Sequence, residues 1–313
     1  MPFNSVITRG DAEALIPEEV SREIIQGVPQ ASSIMQLARK LPNMTSNQKR
    51  LPILASLVTA YFVSGDTGLK QTSKQAWDKK FIDAEELAVI VPIPEAVLDD
   101  SDYDIWGEVM PRMIEAFGIA FDEAVFYGTN APQNWPDDIL TAATGAGHIV
   151  AFGTGVDIYE DIMGVNGTLA LVEEDGFNVT GHVAALTMKA RLRGLRDANG
   201  VPIFMRTMQE TTRYELDGVD CVFPKNGGVD AAQSLLISGD WSQLVYAIRQ
   251  DVTYKVLTEA VIQDTAGNII YNLAQQDMVA LRAVMRLGWQ LPNPINRVNP
   301  NEATRYPFAI LTP

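Results

Sequence analysis

The chain has 313 residues, 47% of them apolar, 20% charged and 8% aromatic, the profile of a folded protein with a sizeable core rather than a disordered or fibrous chain. Twenty-four Lys and Arg against 39 Asp and Glu leave a net charge of −15, which excludes binding of nucleic acid through bulk positive charge. A single cysteine, Cys221, excludes an internal disulfide framework and a multi-cysteine zinc site, and two histidines, His148 and His182, leave little for metal or triad chemistry.

The opening residues, MPFNSVITRGDAEALIPEE, place no apolar run behind a basic start, and nowhere do about 18 apolar residues stand together. A chain made in the cytoplasm and not secreted is expected. SREIIQGVPQASSIMQLARKL then carries apolar residues at helical spacing around Pro29, which predicts an arm with one or two short helices. Residues 51–63, LPILASLVTAYFV, are β-branched and aromatic; SGDTG at 64–68 is a turn cluster, and LAVIVPIP at 87–94 supplies a second strand. Together they predict a long two-stranded hairpin, too long to lie wholly on its own body. Isolated hairpins are marginal in water, so this one is expected to lean on a neighbouring molecule.

Asp99, Asp100, Ser101 and Asp102 offer caps before a helical pattern in which Ile105, Val109, Met113, Phe117, Ala120, Phe121 and Ala124 fall near one face and Gly128 closes the end. Pro111 inside it predicts a kink or the meeting of two helices. Further helices are expected near 158–173 and 187–196, the latter ending in the turn DANG before a strand VPIFM. The rest reads mostly as β: GVDCVFP, SLLISGDW, QLVYAIRQ, TYKVLTEAVIQ and NIIYNLAQ. MVALRAVMRLGWQL serves a strand or a short helix equally well, and Pro292 and Pro294 end it. The fold class expected is α+β, with a helix-bearing body and a projecting hairpin.

Few constellations carry chemistry. The cluster Asp99, Asp100, Asp102 and Asp104 lacks the spaced glycine and distal Glu of a calcium loop, so capping is favoured over metal binding. Gly145 with Gly147 and Gly153 with Gly155 resemble pieces of a phosphate cradle, but no Lys-Ser/Thr follows. No G-x-S-x-G elbow is present. His148 and His182 read as surface or satisfied-core residues, Glu173 and Glu174 as a solvated helix face, and Cys221 as a small buried hydrophobe. No active site and no cofactor is expected.

The order of elements resembles the tailed-phage major capsid proteins of the Hong Kong 97-type shell fold. The resemblance runs through IVPIPEAVLDDS, AFGIAFDEAVFYGTNAP, ARLRGLRDANGVPIF, GVDCVFPKN, LLISGDWSQLVYAIRQDVTYKV and DMVALRAVMRLGWQLPNP, in that order. It implies an N-terminal arm (1–45), an extended hairpin loop (46–94), a peripheral domain with a spine helix (95–150), an axial domain (151–265) and a return to the peripheral domain (266–313). It also implies a structural subunit, not an enzyme, that assembles with itself through pentamers and hexamers into an icosahedral shell around double-stranded DNA, without sequence-specific DNA contacts. By the same resemblance Arg206, Gln209, Glu210 and Arg213 lie in a loop at the capsomer axis. The implied location is the virion capsid, assembled in the host cytoplasm, with portal, a separate scaffolding protein and decoration proteins as partners and no membrane. An encapsulin-type compartment is the nearest alternative, a carboxylate-based hydrolase the alternative from another class.

Two departures from the family are expected. Met1 stands directly before the arm, leaving no room for a fused scaffolding segment. Asp277 and Val284 occupy the places of the Asn and Glu that cross-linking members use, and neither side chain can do that chemistry.

Charge is divided unevenly. Residues 39–80 hold eight bases and two acids, net +6, and residues 83–123 hold twelve acids and one base, net −11. Lys70, Lys74, Lys79 and Lys80 on the hairpin of one copy are therefore expected to meet Asp99, Asp100, Asp102 and Asp104 of another.

Overall fold

The structure, a computed structural model, describes residues 32–63, 68–101, 104–196 and 214–313. It begins at α1 (Ser33–Leu37), whose cap Ser32 accepts from the Met35 N–H, and β1 (Arg39–Lys40). β2 (Gln48–Ser56) and β3 (Ala76–Asp83) form an antiparallel ladder, with Gln48 opposite Asp83 and Ser56 opposite Ala76. β4 (Glu85–Pro94) follows after one residue and leads into the short α2 (Glu95–Asp100) and the long α3 (Ile105–Tyr127).

This corrects the expected hairpin. The strand at 87–94 does not return along 51–63; it pairs with a distant segment, and β2 ends at Ser56. Leu87, Val89 and Val91 on one side of β4 pack into the main core, and burying them needs a helix to cover that face. AWDKKFID, with three charges in a row, is the true partner because both of its faces stay largely wet.

α3 is bounded as its sequence requires. The Asp104 carboxylate accepts from the Gly107 N–H at 3.0 Å, and Gly128 ends the helix at φ 68° with its N–H on the Ala124 carbonyl. One helix runs through Pro111, because Trp106, Val109, Met110 and Met113 on both sides of it are held against the core. Asp99 and Asp100 are not its caps: they end α2, and a break intervenes.

α4 (Ile139–Ala146), β5 (Ile149–Ala151), α5 (Ile158–Met163), α6 (Thr168–Glu174), β6 (Gly181–Ala184) and α7 (Met188–Gly194) come next. The single helix expected over 158–173 is two, separated at 164–167. At Gly167 a Cβ would press on the Ile162 carbonyl, so only glycine allows this close turn between them. The remaining elements are β7 (Tyr214–Leu216), β8 (Val219–Val222), β9 (Leu236–Gly239), β10 (Val245–Leu257), β11 (Val261–Gln263), β12 (Ile269–Asn272), β13 (Met278–Gln290) and β14 (Phe308–Thr312). The runs QLVYAIRQ and TYKVL are one strand, β10, with bulges between Ile248 and Thr253, and the ambiguous MVALRAVMRLGWQ is the strand β13. VPIFM and residues 1–31 lie outside the described residues.

Two sheets make the body. One has the order β1-β10-β13-β4, the other β5-β14-β9-β6-β8-β7, and β11 pairs with β12 as a separate two-stranded ladder among the described residues. A shared core of Phe117, Phe121 and Phe126 on α3, Leu281, Met285 and Trp289 on β13, and Phe308 and Ile310 on β14 joins the sheets. A second core of Ile162, Leu169, Met188, Leu192 and Leu236 lies under α5, α6 and α7.

Polar ties reinforce the second sheet. Asp175 accepts from the Tyr306 N–H at 2.6 Å and from Asn299 Nδ2 at 2.7 Å, and lies 3.1 Å from His148 Nε2, while His148 Nδ1 is 3.1 Å from the Phe308 carbonyl. His148 is thus a satisfied core residue. His182, fully buried, lies 2.9 Å from the Ser238 hydroxyl through Nδ1. The Gly153 and Gly155 N–H groups that resembled a phosphate cradle are spent on the Asp161 carboxylate, at 2.8 and 2.7 Å. Cys221 is buried, and burial pushes its thiol up to about 12.

Candidate assembly surface

The β2–β3 hairpin is fastened at its root and bare at its tip. At the root, Met44, Ile82 and Ala84 are buried against Val245 and Ala247 of β10. Gln290 Nε2 donates to the Phe81 carbonyl at 2.8 Å, and Arg297 donates to the Val58 carbonyl at 2.7 Å. β13 passes so close beneath that a Cβ at Gly288 would strike the Asp83 carbonyl. Beyond the root, Phe62 is fully exposed, Leu69 is 89% exposed and Trp77 69%, with Tyr61 and Val63 also in water. A folded monomer rarely tolerates such apolar exposure on one projection.

Lys70, Lys74 and Lys79 are exposed along this hairpin, and Lys79 Nζ lies 5.8 Å from the Phe81 ring centroid. Among the described residues no ion pair joins any of the three to an acid of the same chain. Lys80 differs: it is half-buried, 3.1 Å from Glu302 and 3.4 Å from the Leu291 carbonyl, so its ammonium already serves the root.

The acidic half lies on α2, α3 and the start of β4. Asp99, Asp100 and Asp104 are exposed, and Asp102 falls outside the described residues. Between β4 and α3 runs an open groove lined by Val89, Val91, Val109, Met113 and Ala116, with Glu108 and Arg112 at its edge. Farther along α3 is a pocket of about 120 Å³ whose walls include Leu87, Phe121 and Trp135 and whose lip carries Glu85, Glu86 and Glu123. Phe121 and Trp135 meet edge to face at 6.1 Å. Glu86 is paired with Arg286 at 2.5 Å and Glu85 accepts from Asn134 at 3.1 Å. The surface thus offers an apolar trough with acidic margins, complementary to a hairpin tip that is apolar and basic.

Arg206, Gln209, Glu210 and Arg213 lie outside the described residues. Asp277 stands just before β13 in the left-handed region, φ 49°, with its carbonyl accepting from the Glu95 N–H at 2.9 Å. Val284 is buried in mid-β13, between Thr253 and Ala88 on the flanking strands. Among the described residues no group of three or more His, Cys, Asp or Glu is placed to hold a metal ion, and no helix is long and apolar enough to cross a membrane.

One polar residue of α3 escaped the sequence reading. Asp122 is fully buried, on the stripe that also holds Gly118 and Phe126. The signal was present: an acid four residues from each of two core positions breaks the polar-outside pattern of an amphipathic helix.

Comparison with known proteins places this surface in context. The chain is 27% identical over 288 residues to the major capsid protein of Staphylococcus phage 80alpha, covering 91% of this chain and 84% of that protein. A solved structure from Microbacterium phage Oxtober96 is 38% identical with a TM-score of 0.84, over 99% of this chain and 100% of that one. A capsid structure of a native GTA particle, 19% identical, shares the fold at a TM-score of 0.66. Residues 12–296 match the phage capsid family, and the chain belongs to that family.

Proposed function

We propose that this chain is the major capsid protein of a tailed phage, a structural subunit whose copies join as pentamers and hexamers into an icosahedral shell around double-stranded DNA. The family match over residues 12–296 carries the reading, and the exposed apolar hairpin tip supports it, because such a projection needs a neighbour to cover it. In this reading the chain follows the Hong Kong 97-type layout: an arm before α1, the β2–β3 hairpin as the extended loop, α3 with the β1-β10-β13-β4 sheet as the peripheral domain, and the six-stranded sheet as the axial domain. The hairpin of one copy lies over the acidic trough of the next, and the segment with Arg206, Gln209, Glu210 and Arg213 faces the capsomer axis. The protein acts by contact and not by catalysis. Its partners are copies of itself, a portal, a separate scaffolding protein, decoration proteins and the packaged DNA, held without sequence preference. Assembly takes place in the host cytoplasm.

Contacts that are heterologous and close produce rings, so purified protein is expected to sediment as capsomers or closed particles and to appear as shells by electron microscopy. A monomer that no concentration, crowding agent or scaffolding partner converts to larger particles overturns the reading.

A further inference from the structure

The Asp122 carboxylate is 0% exposed and is the acceptor for three donors from the start of α1. Its Oδ1 accepts from the Ser32 hydroxyl at 2.5 Å and the Ile34 N–H at 3.3 Å, and its Oδ2 from the Ser33 N–H at 2.8 Å. The Ser32 hydroxyl in turn accepts from the Met35 N–H at 3.1 Å, so the acid and the cap form one continuous network. Gly118, one turn back on α3, lets the segment approach: a Cβ there would stand 3.0 Å from the Ser32 nitrogen. On the other side the 226–230 loop closes the site, with Gly228 packed against the Asp122 side chain.

Among the described residues none of the charged groups on these elements is hydrogen-bonded to the carboxylate. α1 carries none, and Arg39 and Lys40 after it are exposed. Lys225 and Asp230 at the ends of the loop are exposed, Glu123 is the next residue of α3, and Glu115, two turns back on the same side of α3 as Asp122, is paired with Arg112 at 2.7 Å. Among the described residues no cation pairs with Asp122.

We propose that Asp122 is the positioning residue that fixes where the chain enters the body at Ser32, and that this root docks more tightly in acid than at neutral pH because its clamp is a buried carboxylate that no cation among the described residues pairs with. Burial pushes the Asp122 carboxyl from 3.8 up to about 6, against the lowering effect of the bonds from Ser32, Ser33 and Ile34. When the root undocks, water reaches the carboxylate and its affinity for a proton falls back toward 3.8. The docked state therefore binds a proton that the undocked state gives up. Docking strengthens as pH falls through about 6 and is weakest above it. The sign is the reverse of an ion pair, which acid loosens.

The test uses the full-length subunit before assembly, so its outcome is independent of whether shells form. Hydrogen exchange at the Ser33 and Ile34 amides, corrected for the intrinsic rate, reads the opening constant of the root. That constant is expected to be on the order of fifty-fold larger at pH 7.5 than at pH 4. In Asp122→Asn the same constant is expected to be flat across the range. A flat wild type, or a variant with the wild-type slope, overturns the proposal. Should Asp122→Asn fail to fold, Ser32→Ala supplies the decision: it removes a bond that lowers the carboxyl and leaves the acid, so the midpoint of the pH dependence moves upward. An unchanged midpoint gives the contact a merely structural role and overturns the proposal as well.

Discussion

Asp122 and His182 are both fully buried, yet acid acts on them with opposite sign. Burial pushes the His182 imidazole down from 6.5 to about 4, so the folded state declines a proton that the unfolded chain accepts. Its contribution to stability is present above about 6.5 and is lost as pH falls toward 4, whereas the raised carboxyl of Asp122 gains over nearly the same window. The two partly offset in a global unfolding curve, which is why the arm root calls for a local readout. Replacing His182 with Asn, which can keep the bond to Ser238, removes one side of this balance. Relative to wild type the variant is expected to gain about 3 kcal/mol between pH 7 and pH 4 in denaturant titrations, and parallel curves across that range would refute the assignment. Little of this was legible in the sequence. His182 in TGHVAAL looks ordinary, and the helical spacing of Asp122 signals its burial but not its protonation, which for both residues is set by the segments that cover them and which no local pattern encodes. Cys221 was legible because a lone cysteine in an apolar strand has one common use.

The elements divide by how locally they are determined. The apolar stripe of α3 and its closing Gly128 were readable because both are local signals, whereas its cap, Asp104 and not Asp99 to Asp102, and its unbroken passage through Pro111 were not, because they depend on what the helix packs against. β13 was not, since a strand that is central in its sheet buries both faces and loses its alternation. The hairpin pairing was misread because AWDKKFID has a weak strand signature and LAVIVPIP a strong one; the stronger segment is strong because α3 covers it. The candidate surface was legible as a charge asymmetry and not as geometry, and only the structure separates Lys80, tied to Glu302, from Lys70, Lys74 and Lys79, which form no ion pair among the described residues, and Asp104, capping α3, from the exposed Asp99 and Asp100. Changing Lys70, Lys74 and Lys79 to Glu is therefore expected to leave circular dichroism unchanged and to weaken shell assembly. Partial rescue is expected from Lys at Asp99, Asp100 and Asp102. Each exposed pair contributes only about 0.2 to 1 kcal/mol and is screened over roughly 8 Å at physiological salt, so the defect should grow at low salt, where the wild type gains most. Assembly of the triple variant equal to wild type throughout a salt series would leave the apolar tip as the whole of the contact.

The α+β class was readable for the molecule as a whole, from helical and strand-like runs in one chain; the sheet orders were not, because neighbours such as β14 and β5 are far apart in sequence. At this scale the shell is expected to hold without covalent bonds. Asp277 has no carboxamide to lose ammonia, and Val284 is enclosed between two strands with no group to take a proton. Mature particles boiled in detergent and reductant should run as single chains, and ladders of covalent pentamers and hexamers would show that another pair of residues does the joining. β14 is an interior strand of the six-stranded sheet, flanked by β5 and β9, and it follows every other element in sequence. While the chain is still being synthesised, β5 and β9 present open edges with nothing between them, and the core lacks Phe308 and Ile310. A chain in which β14 is not yet made can neither close this sheet nor complete the shared core, so finishing the body waits on the strand that threads between β5 and β9.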